Sequence, residues 1–248
     1  MSIRTICTMA ALVCMAASPL SASSVVYTAS GTNPEAGAIS AQATFTHDGS
    51  FLDITLQNTG PAARVQSDAL LGLMFTLGSG NLTPLTASLG AGSSYIIPSG
   101  VTLQPLGDEW QYKQGGSSFP DGTNAGVSAA GFDIFGHGNF GSSSNNLKGA
   151  AYGLVNGLSS EANKPMKKDY VFRNNAITLR LGAPAGFSLN QISNVYFQYG
   201  TGLNEPRLPG VPRNTPPNPP AVPEPGTMSL MGFAAMSALP FISRKRRK

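Results

Sequence analysis

Apolar and polar residues alternate along several short segments between residues 24 and 205. Every second position is apolar over 39–45 and again over 52–56, and a polar turn at 47–50 lies between these two segments. A period of two places the apolar side chains on one face of a β-strand. The Asp-Gly pair within the turn is typical of a tight hairpin connection. These residues therefore predict an antiparallel hairpin with one buried face.

The same pattern predicts further strands, most clearly over 71–77 and 192–199. Weaker candidates are the segments 94–97, 109–113, 170–172 and 176–181. No amphipathic helix is predicted before residue 226, and the segment 115–149 is too rich in glycine and serine to assign. Many short strands with glycine-rich turns favour an all-β fold. We predict a single β-sandwich domain, jelly-roll-like, with roughly eight to twelve strands over residues 24–205.

The N-terminal residues 1–23 have the features of a secretory signal peptide. Arg4 supplies a positive charge, and the apolar segment that follows is too short to span a bilayer. Small residues at its end predict cleavage by signal peptidase after Ser23, during export through the general secretion machinery. Both cysteines of the chain, Cys7 and Cys14, lie within this segment. The mature chain is therefore expected to contain no disulfide and no zinc site built from thiolates.

The positive charge of the chain is concentrated at its C-terminal end. The full sequence has 16 basic and 12 acidic residues, and five of the basic residues lie at 244–248. Within residues 24–221, ten basic residues are set against eleven acidic ones, which gives a net charge of −1. Nucleic-acid binding depends on a basic surface that neutralises phosphates. We therefore predict no nucleic-acid partner for the folded region.

Prolines are concentrated between residues 206 and 225, where nine of the twenty positions are proline. Proline lacks a backbone N–H donor and fixes φ, so this density excludes a helix and a central strand. An extended polyproline II spacer is the conformation that such a composition favours. We predict a proline-rich linker over 206–221, between the domain and the C-terminal segment.

The segment 222–248 combines three features that point to handling at a membrane. A rigid, extended tetrapeptide that a protease could bind comes first, and it consists of Val222, Pro223, Glu224 and Pro225. Residues 226–243 then carry no charge over eighteen positions, which is enough for a short transmembrane helix. The positive-inside rule places the final basic cluster in the cytoplasm, and this stop-transfer cluster consists of Arg244, Lys245, Arg246, Arg247 and Lys248.

This three-part end resembles the PEP-CTERM sorting signal, whose naming tripeptide is present here at residues 223–225. The resemblance implies exosortase, an integral membrane protease-transpeptidase, as the processing partner. It implies transient anchoring in the inner membrane of a Gram-negative bacterium, followed by delivery to the cell surface or the extracellular polysaccharide matrix of a biofilm. The hairpin at 43–59 and the last strand at 192–206 are similar to a recurrent group of exosortase-dependent surface proteins. That group has no established activity, so this second resemblance implies no mechanism.

The functional prediction that follows is a non-enzymatic exported surface or matrix protein. An alternative is a carbohydrate-binding module that retains exopolysaccharide, for which Trp110 and Tyr112 are the candidate contacts. The competing interpretation of Trp110 is a buried residue of the core. Whether its ring is buried or exposed would separate these two interpretations.

A secreted hydrolase is the third functional hypothesis, and it depends on acidic residues near the tryptophan. Asp108 and Glu109 precede Trp110, and Asp121 or Asp133 is a candidate partner carboxylate. Glycoside hydrolysis needs two carboxylates across the substrate, whereas adjacent residues on a strand point to opposite faces. The sequence therefore gives no catalytic pair.

Three further patterns in the sequence resemble sites of chemistry. Residues 136–141 match G-x-G-x-x-G, with Glu161 twenty positions beyond the motif, but the polar residues after them are a poor helix start, so a glycine-rich turn is predicted. His47 and His137 lie in predicted loops, and no Gly-x-Ser-x-Gly is present. The loop 121–124 lacks the spaced acidic residues of an EF-hand. We therefore assign no catalytic residue, no metal ligand and no cofactor.

Overall fold

The computed structural model describes residues 22–143 and 145–213. Fourteen strands and one short helix lie within these residues. They are β1 (Ser23–Asn33), β2 (Gly37–His47), β3 (Phe51–Asn58), β4 (Leu70–Leu77), β5 (Thr83–Leu89), β6 (Ser94–Ile96), β7 (Gln111–Gln114), β8 (Ala125–Ser128), β9 (Leu154–Val155), α1 (Lys164–Lys168), β10 (Phe172–Asn174), β11 (Ala176–Gly182), β12 (Ile192–Tyr199), β13 (Arg207–Pro209) and β14 (Val211–Arg213).

The first sheet, sheet 1, has six antiparallel strands in the order β14-β1-β2-β3-β11-β5. Its centre is the hairpin predicted from the alternating pattern, in which Phe45 of β2 lies opposite Ile54 of β3. In the connecting turn, Asp48 Oδ1 accepts hydrogen bonds from the backbone N–H groups of Ser50 at 3.0 Å and Phe51 at 2.8 Å. The predicted hairpin is therefore confirmed, together with the turn that sets its register.

The second sheet, sheet 2, follows the path β13-β12-β4-β9-β10-β6, with β8 paired to β4 and β7 paired to β8. Strand β4 corresponds to the predicted strand at 71–77, and seven of its eight residues are buried. The glycine- and serine-rich segment 115–149 explains this burial because it returns over β4. Ala129 N donates a hydrogen bond to Leu71 O at 2.9 Å, and the Phe132 ring lies against Gly72. The unassigned segment thus supplies β8 and a cover for sheet 2.

The two sheets pack face to face around one apolar core. The Phe45 ring of sheet 1 meets the Phe75 ring of sheet 2 edge to face, with centroids 5.5 Å apart. Tyr27 packs on the other side of Phe45 at 5.8 Å, and its hydroxyl donates to Ile192 O at 3.1 Å across the sandwich. Edge-to-face rings of this kind add to the free energy gained from burial. The predicted all-β sandwich is confirmed.

The last two strands lie inside the segment that the sequence predicts as linker. Strand β13 pairs with β12 at the edge of sheet 2, and β14 pairs with β1 at the edge of sheet 1. Each contains one proline, Pro209 or Pro212. An edge strand tolerates proline because one side of its backbone has no partner strand. The prediction that the linker begins at residue 206 is wrong in this respect, since the domain continues to Arg213.

Several elements are too short to show a hydrophobic period. Strands β8, β9, β13 and β14 have two to four residues each. They raise the number of strands in the described residues above the predicted upper limit of about twelve. Helix α1 has five residues and begins after Asn163, whose side-chain oxygen accepts a hydrogen bond from Met166 N at 3.2 Å. Only Met166 of this helix is buried, so no amphipathic stripe could reveal it.

The side of sheet 1 that points away from the core carries mainly hydroxyl and amide side chains. In the central row, Thr44 lies opposite Thr55, Thr55 opposite Thr178, and Thr178 opposite Ser88. The Thr55 and Thr178 hydroxyls are hydrogen-bonded at 3.0 Å. We call this surface the outer face of sheet 1. Its polar members include Ser30, Ser40, Gln42, Thr28, Thr44, Thr46, Thr55, Gln57, Thr178, Ser88, Asp53 and Arg180, and Val26, Phe51 and Arg213 lie on the same face.

Candidate functional site

The residues predicted to direct sorting lie outside the described part of the chain. This applies to Val222, Pro223, Glu224, Pro225 and the basic cluster 244–248, and to the predicted membrane span at 226–243. It also applies to the predicted signal peptide up to residue 21, whereas Ser23 already begins β1. Within residues 22–143 and 145–213, no helix has the length and apolar character needed to cross a membrane.

The acidic residues that the sequence suggests for catalysis lie in a buried segment. Leu106–Asp108 forms a single 3₁₀ turn, and Asp108, Glu109 and Trp110 are all buried. Asp108 Oδ1 accepts a hydrogen bond from Ser143 N at 3.0 Å. Glu109 Oε2 accepts one from the guanidinium of Arg173, with which it forms an ion pair. Both carboxylates are therefore bound to other parts of the domain and do not face each other across a cleft.

Arg173 and Glu109 form the centre of a buried cluster with two tyrosines. Arg173 lies on β10, and its side chain has no exposed surface. Its Cζ atom is 4.6 Å from the centroid of the Tyr95 ring and 4.9 Å from that of the Tyr152 ring. A guanidinium between two aromatic faces gains cation–π attraction, which is stronger where water is excluded. We call these four residues the Glu109–Arg173 centre.

Burial changes the acid–base properties of this centre. Loss of hydration raises the pKa of Glu109 to about 8, although the Arg173 charge and the Tyr152 hydroxyl act in the opposite direction. Loss of hydration, with the nearby Glu109 charge, also raises the pKa of Tyr152 to about 12. Burial lowers the pKa of Arg173, and Glu109 partly restores it. Each shift favours the uncharged form, which is the expected effect of a low-dielectric environment.

Some polar atoms of the centre have no hydrogen-bond partner among the described residues. These atoms are Oε1 of Glu109, Nε and Nη1 of Arg173 and, next to the centre, Nε1 of Trp110. A buried donor without a partner is unfavourable because it loses its hydrogen bonds to water. The aromatic rings of Tyr95 and Tyr152 offset part of this cost at the guanidinium. Within the described residues, Glu109 and Arg173 form a hydrogen-bonded pair enclosed by side chains, and Glu109 is 3% exposed.

The glycine-rich motif at 136–141 packs against the segment that carries Asp108. A Cβ atom on Gly138 would lie 2.0 Å from the backbone oxygen of Asp108, and one on Gly141 would lie 2.1 Å from Asp108 Oδ1. Phe140 N also donates a hydrogen bond to Gly107 O at 3.0 Å. Two loops thus meet backbone to backbone, which only residues without a side chain permit. The glycines permit this contact. A dinucleotide site would require a helix directly after the motif, and the described residues that follow it form a loop.

Trp110 and Tyr112 are both part of the core. Trp110 is 0% exposed and Tyr112 is 5% exposed. The Tyr112 hydroxyl donates to Gln114 Oε1 at 2.8 Å, and burial raises the pKa of Tyr112. A sugar stacks on an exposed ring face, so neither side chain can provide such a contact in this fold. The structure corrects the prediction of glycan contact at these two residues and supports the interpretation of Trp110 as a core residue.

The remaining candidates lie apart from the Glu109–Arg173 centre. The His47 ring packs on Phe187 with centroids 5.0 Å apart, and His137 is exposed. Asp121 forms an ion pair with Arg207 at 2.7 Å, and Asp133 is exposed on the cover of sheet 2. In the described ranges, no group of three or more His, Cys, Asp or Glu residues is placed to hold a metal ion.

Sequence reasoning did not identify Arg173, Tyr95 or Tyr152 as partners of Glu109. The three residues lie on β10, on β6 and in the loop before β9, and they meet Glu109 only through the tertiary fold. One signal was present, because Arg173 directly follows the predicted strand 170–172, which contains the apolar residues Val171 and Phe172. A charge within a buried strand requires a partner, so this position could have indicated an internal ion pair.

Comparisons with known proteins bear on the C-terminal end of the sequence. A family model described as the PEP-CTERM protein-sorting motif matches residues 221–247. No curated protein and no solved structure matches the chain. The matched range contains the predicted tetrapeptide, the apolar segment and the first four residues of the basic cluster, and the motif implies transient membrane anchoring followed by surface localisation. The chain therefore carries a PEP-CTERM protein-sorting motif, which marks it as an exported protein sorted by exosortase.

Proposed function

We propose that the folded domain has a non-enzymatic role as a surface or matrix component, and that exosortase sorting brings it to the place where it acts. In this proposal the domain is a stably folded unit that is displayed at the cell surface. Its functional surfaces are the exposed faces of the sandwich, and its buried charges serve stability.

The observation that carries the proposal is the state of Glu109. This carboxylate has an altered pKa and lies beside a tryptophan, features that often mark active sites. Structural ion pairs produce the same signature, and here the partner is Arg173 between two tyrosine rings. Asp108, the nearest second carboxylate in sequence, accepts a backbone hydrogen bond from Ser143. The contacts of both residues thus support a structural role.

A search for turnover tests this proposal. Protein extracted from the cell surface would be incubated with polysaccharide from the same cells and with a peptide panel, and new reducing ends and amines would be measured. We expect none above the level of a heat-unfolded sample. Turnover that disappears in Glu109→Gln but persists in Asp133→Asn, an exposed carboxylate, would overturn the proposal.

A complementation experiment tests the surface role directly. Cells that lack the protein should release more matrix polysaccharide into the medium than wild-type cells. Both Glu109→Gln and Asp133→Asn should restore retention to the extent that folded protein reaches the surface. If retention does not differ between cells with and without the protein, the matrix role is wrong, whatever the outcome of the turnover search.

A further inference from the structure

A groove crosses strands β1 and β2 on the outer face of sheet 1. Its volume is about 430 Å³, which lies in the range of small-molecule binding sites. The floor is formed mainly by polar side chains from the two strands, and Val211 and Pro209 stand at one side. The polar lining residues are Thr28, Ser30, Ser40, Gln42 and Thr59.

The floor of the groove offers hydrogen-bonding groups without charge. Thr59 Oγ1 donates to Ser40 Oγ at 3.0 Å. The side chains of Thr28, Ser30 and Gln42 form no hydrogen bond with the described part of the chain. Hydroxyl and amide groups can each donate and accept hydrogen bonds. The floor is therefore suited to a ligand that also carries groups of both kinds.

One wall of the groove is apolar and comes from the last two strands. Pro209 ends β13, and Val211 begins β14 and is 63% exposed. Val211 is held beside the floor because it pairs with Thr28 of β1. A pyranose ring has hydroxyl groups at its edge and C–H groups on its faces. An apolar wall above a hydroxyl floor complements both parts of such a ring.

The lining of the groove itself contains no charged side chain. On the rest of the outer face, Asp53 and Arg180 neutralise each other through two hydrogen bonds of 2.7 Å and 2.6 Å, and Arg213 of β14 lies two positions beyond Val211. The row of Thr44, Thr55 and Thr178 continues the hydroxyl pattern beyond the groove. An acidic polymer would require lysine or arginine at the contact, and none lines the groove.

We propose that this groove binds a segment of uncharged polysaccharide, with sugar hydroxyls on its floor and a ring face against Val211. The inference rests on the proposed surface function and specifies its ligand class. It also moves the carbohydrate contact from the buried Trp110 and Tyr112 to the outer face of sheet 1. Because β14 supplies the wall, the groove is complete only when residues 211–213 are paired with β1.

Binding to neutral hexose oligosaccharides tests the proposal, with protein extracted from the cell surface. The variant Thr28→Val/Gln42→Leu removes two polar groups from the floor. Each lost hydrogen bond is worth about 1 kcal/mol, so we expect affinity to fall roughly tenfold or more. The matched control Thr102→Val/Gln104→Leu makes the same changes outside the groove and should bind as wild type does.

A second variant separates ligand binding from folding. Ser30→Tyr adds a ring to an exposed floor position, and it should abolish binding while thermal unfolding stays near that of the wild type. Wild-type binding should be almost independent of salt, because no charge pairs are involved. A preference for acidic glycans, or neutral-glycan binding that survives both groove variants, would refute the site. If the groove does not bind glycans, the proposed non-enzymatic surface function still stands. Only enzymatic turnover, or polysaccharide retention that is the same with and without the protein, would contradict that function.

Discussion

The side chain of Arg173 is buried among three neighbours, and its contacts connect segments that are far apart in the chain. Its carboxylate partner comes from the turn after Leu106–Asp108, and its two aromatic partners come from β6 and the loop before β9. A buried pair is weak evidence of net stability, because desolvation offsets the attraction between the charges. Removal of one partner alone is strongly destabilising, because it leaves the other polar group buried without a partner.

A double-mutant cycle should show this coupling. We expect Glu109→Leu and Arg173→Met each to lower the free energy of unfolding by about 3 kcal/mol. The double variant should be less destabilised than the sum of the two, because it leaves no unpaired group. Urea unfolding of the three variants measures the effect. Strict additivity would show that the two side chains do not depend on each other.

The raised pKa of Glu109 makes stability depend on pH. Glu109 has a pKa of about 8 in the folded state and an ordinary value of 4.5, so it forms a fully charged pair with Arg173 only above about pH 8 and is an uncharged hydrogen-bond partner of Arg173 at lower pH. Between these values the folded state binds more protons, so its stability should fall as pH rises. We expect Glu109→Gln to flatten this slope in unfolding curves measured across the range. An equal slope in wild type and variant would assign the dependence to other groups.

At the scale of elements, the contact between the loop 136–141 and the segment 106–112 holds the cover of sheet 2 in place. A Cβ on Gly138 would collide with the backbone of Asp108, whereas one on Gly136 would meet nothing within 4 Å. Gly138→Ala should therefore lower the melting temperature by several degrees, and Gly136→Ala should leave it nearly unchanged. Equal melting temperatures for the two variants would mean that the loop shifts to accommodate a side chain at residue 138 without loss of stability.

The elements that could be predicted are those with enough residues to show a period. The hairpin of β2 and β3 and the strand β12 follow from alternation, since one face of each is buried. Strand β1 has the same alternation, but small and polar residues such as Ala29 and Ser30 weaken its signal. The Glu109–Arg173 centre could not be derived because its members are far apart in the chain. Burial of Trp110 likewise depends on which loop covers it.

At the scale of the whole molecule, the sorting motif is expected to decide the final form of the protein. The density of prolines before residues 222–225 favours an extended backbone there, and Glu224 is the only charge between Arg213 and Arg244. We expect exosortase to cut at or near this site and release the domain from its membrane segment. Intact-mass analysis of surface-extracted protein should show a species that ends near Pro225. A species that retains 244–248 in cells with active exosortase would contradict this.

The basic cluster should act before that cut. By the positive-inside rule, we expect the five consecutive positive charges next to the apolar segment to hold the C-terminus in the cytoplasm. Replacement of residues 244–248 by serine should let the tail cross the membrane, or weaken retention before processing. A topology reporter fused after Lys248 measures this directly. A reporter that stays cytoplasmic, with unchanged processing, would show that the charges are dispensable.

The edge strands have a consequence for many copies placed side by side. Pro84 lies in β5, Pro209 in β13 and Pro212 in β14, and these are three of the five described strands that have only one partner strand, the other two being β6 and β7. Proline interrupts the row of backbone donors through which one sheet could extend into the next. Crowded domains would therefore remain separate molecules and would not polymerise edge to edge. Cohesion in such a layer would have to come from a ligand shared between neighbours, with one polysaccharide chain bound by several protein molecules.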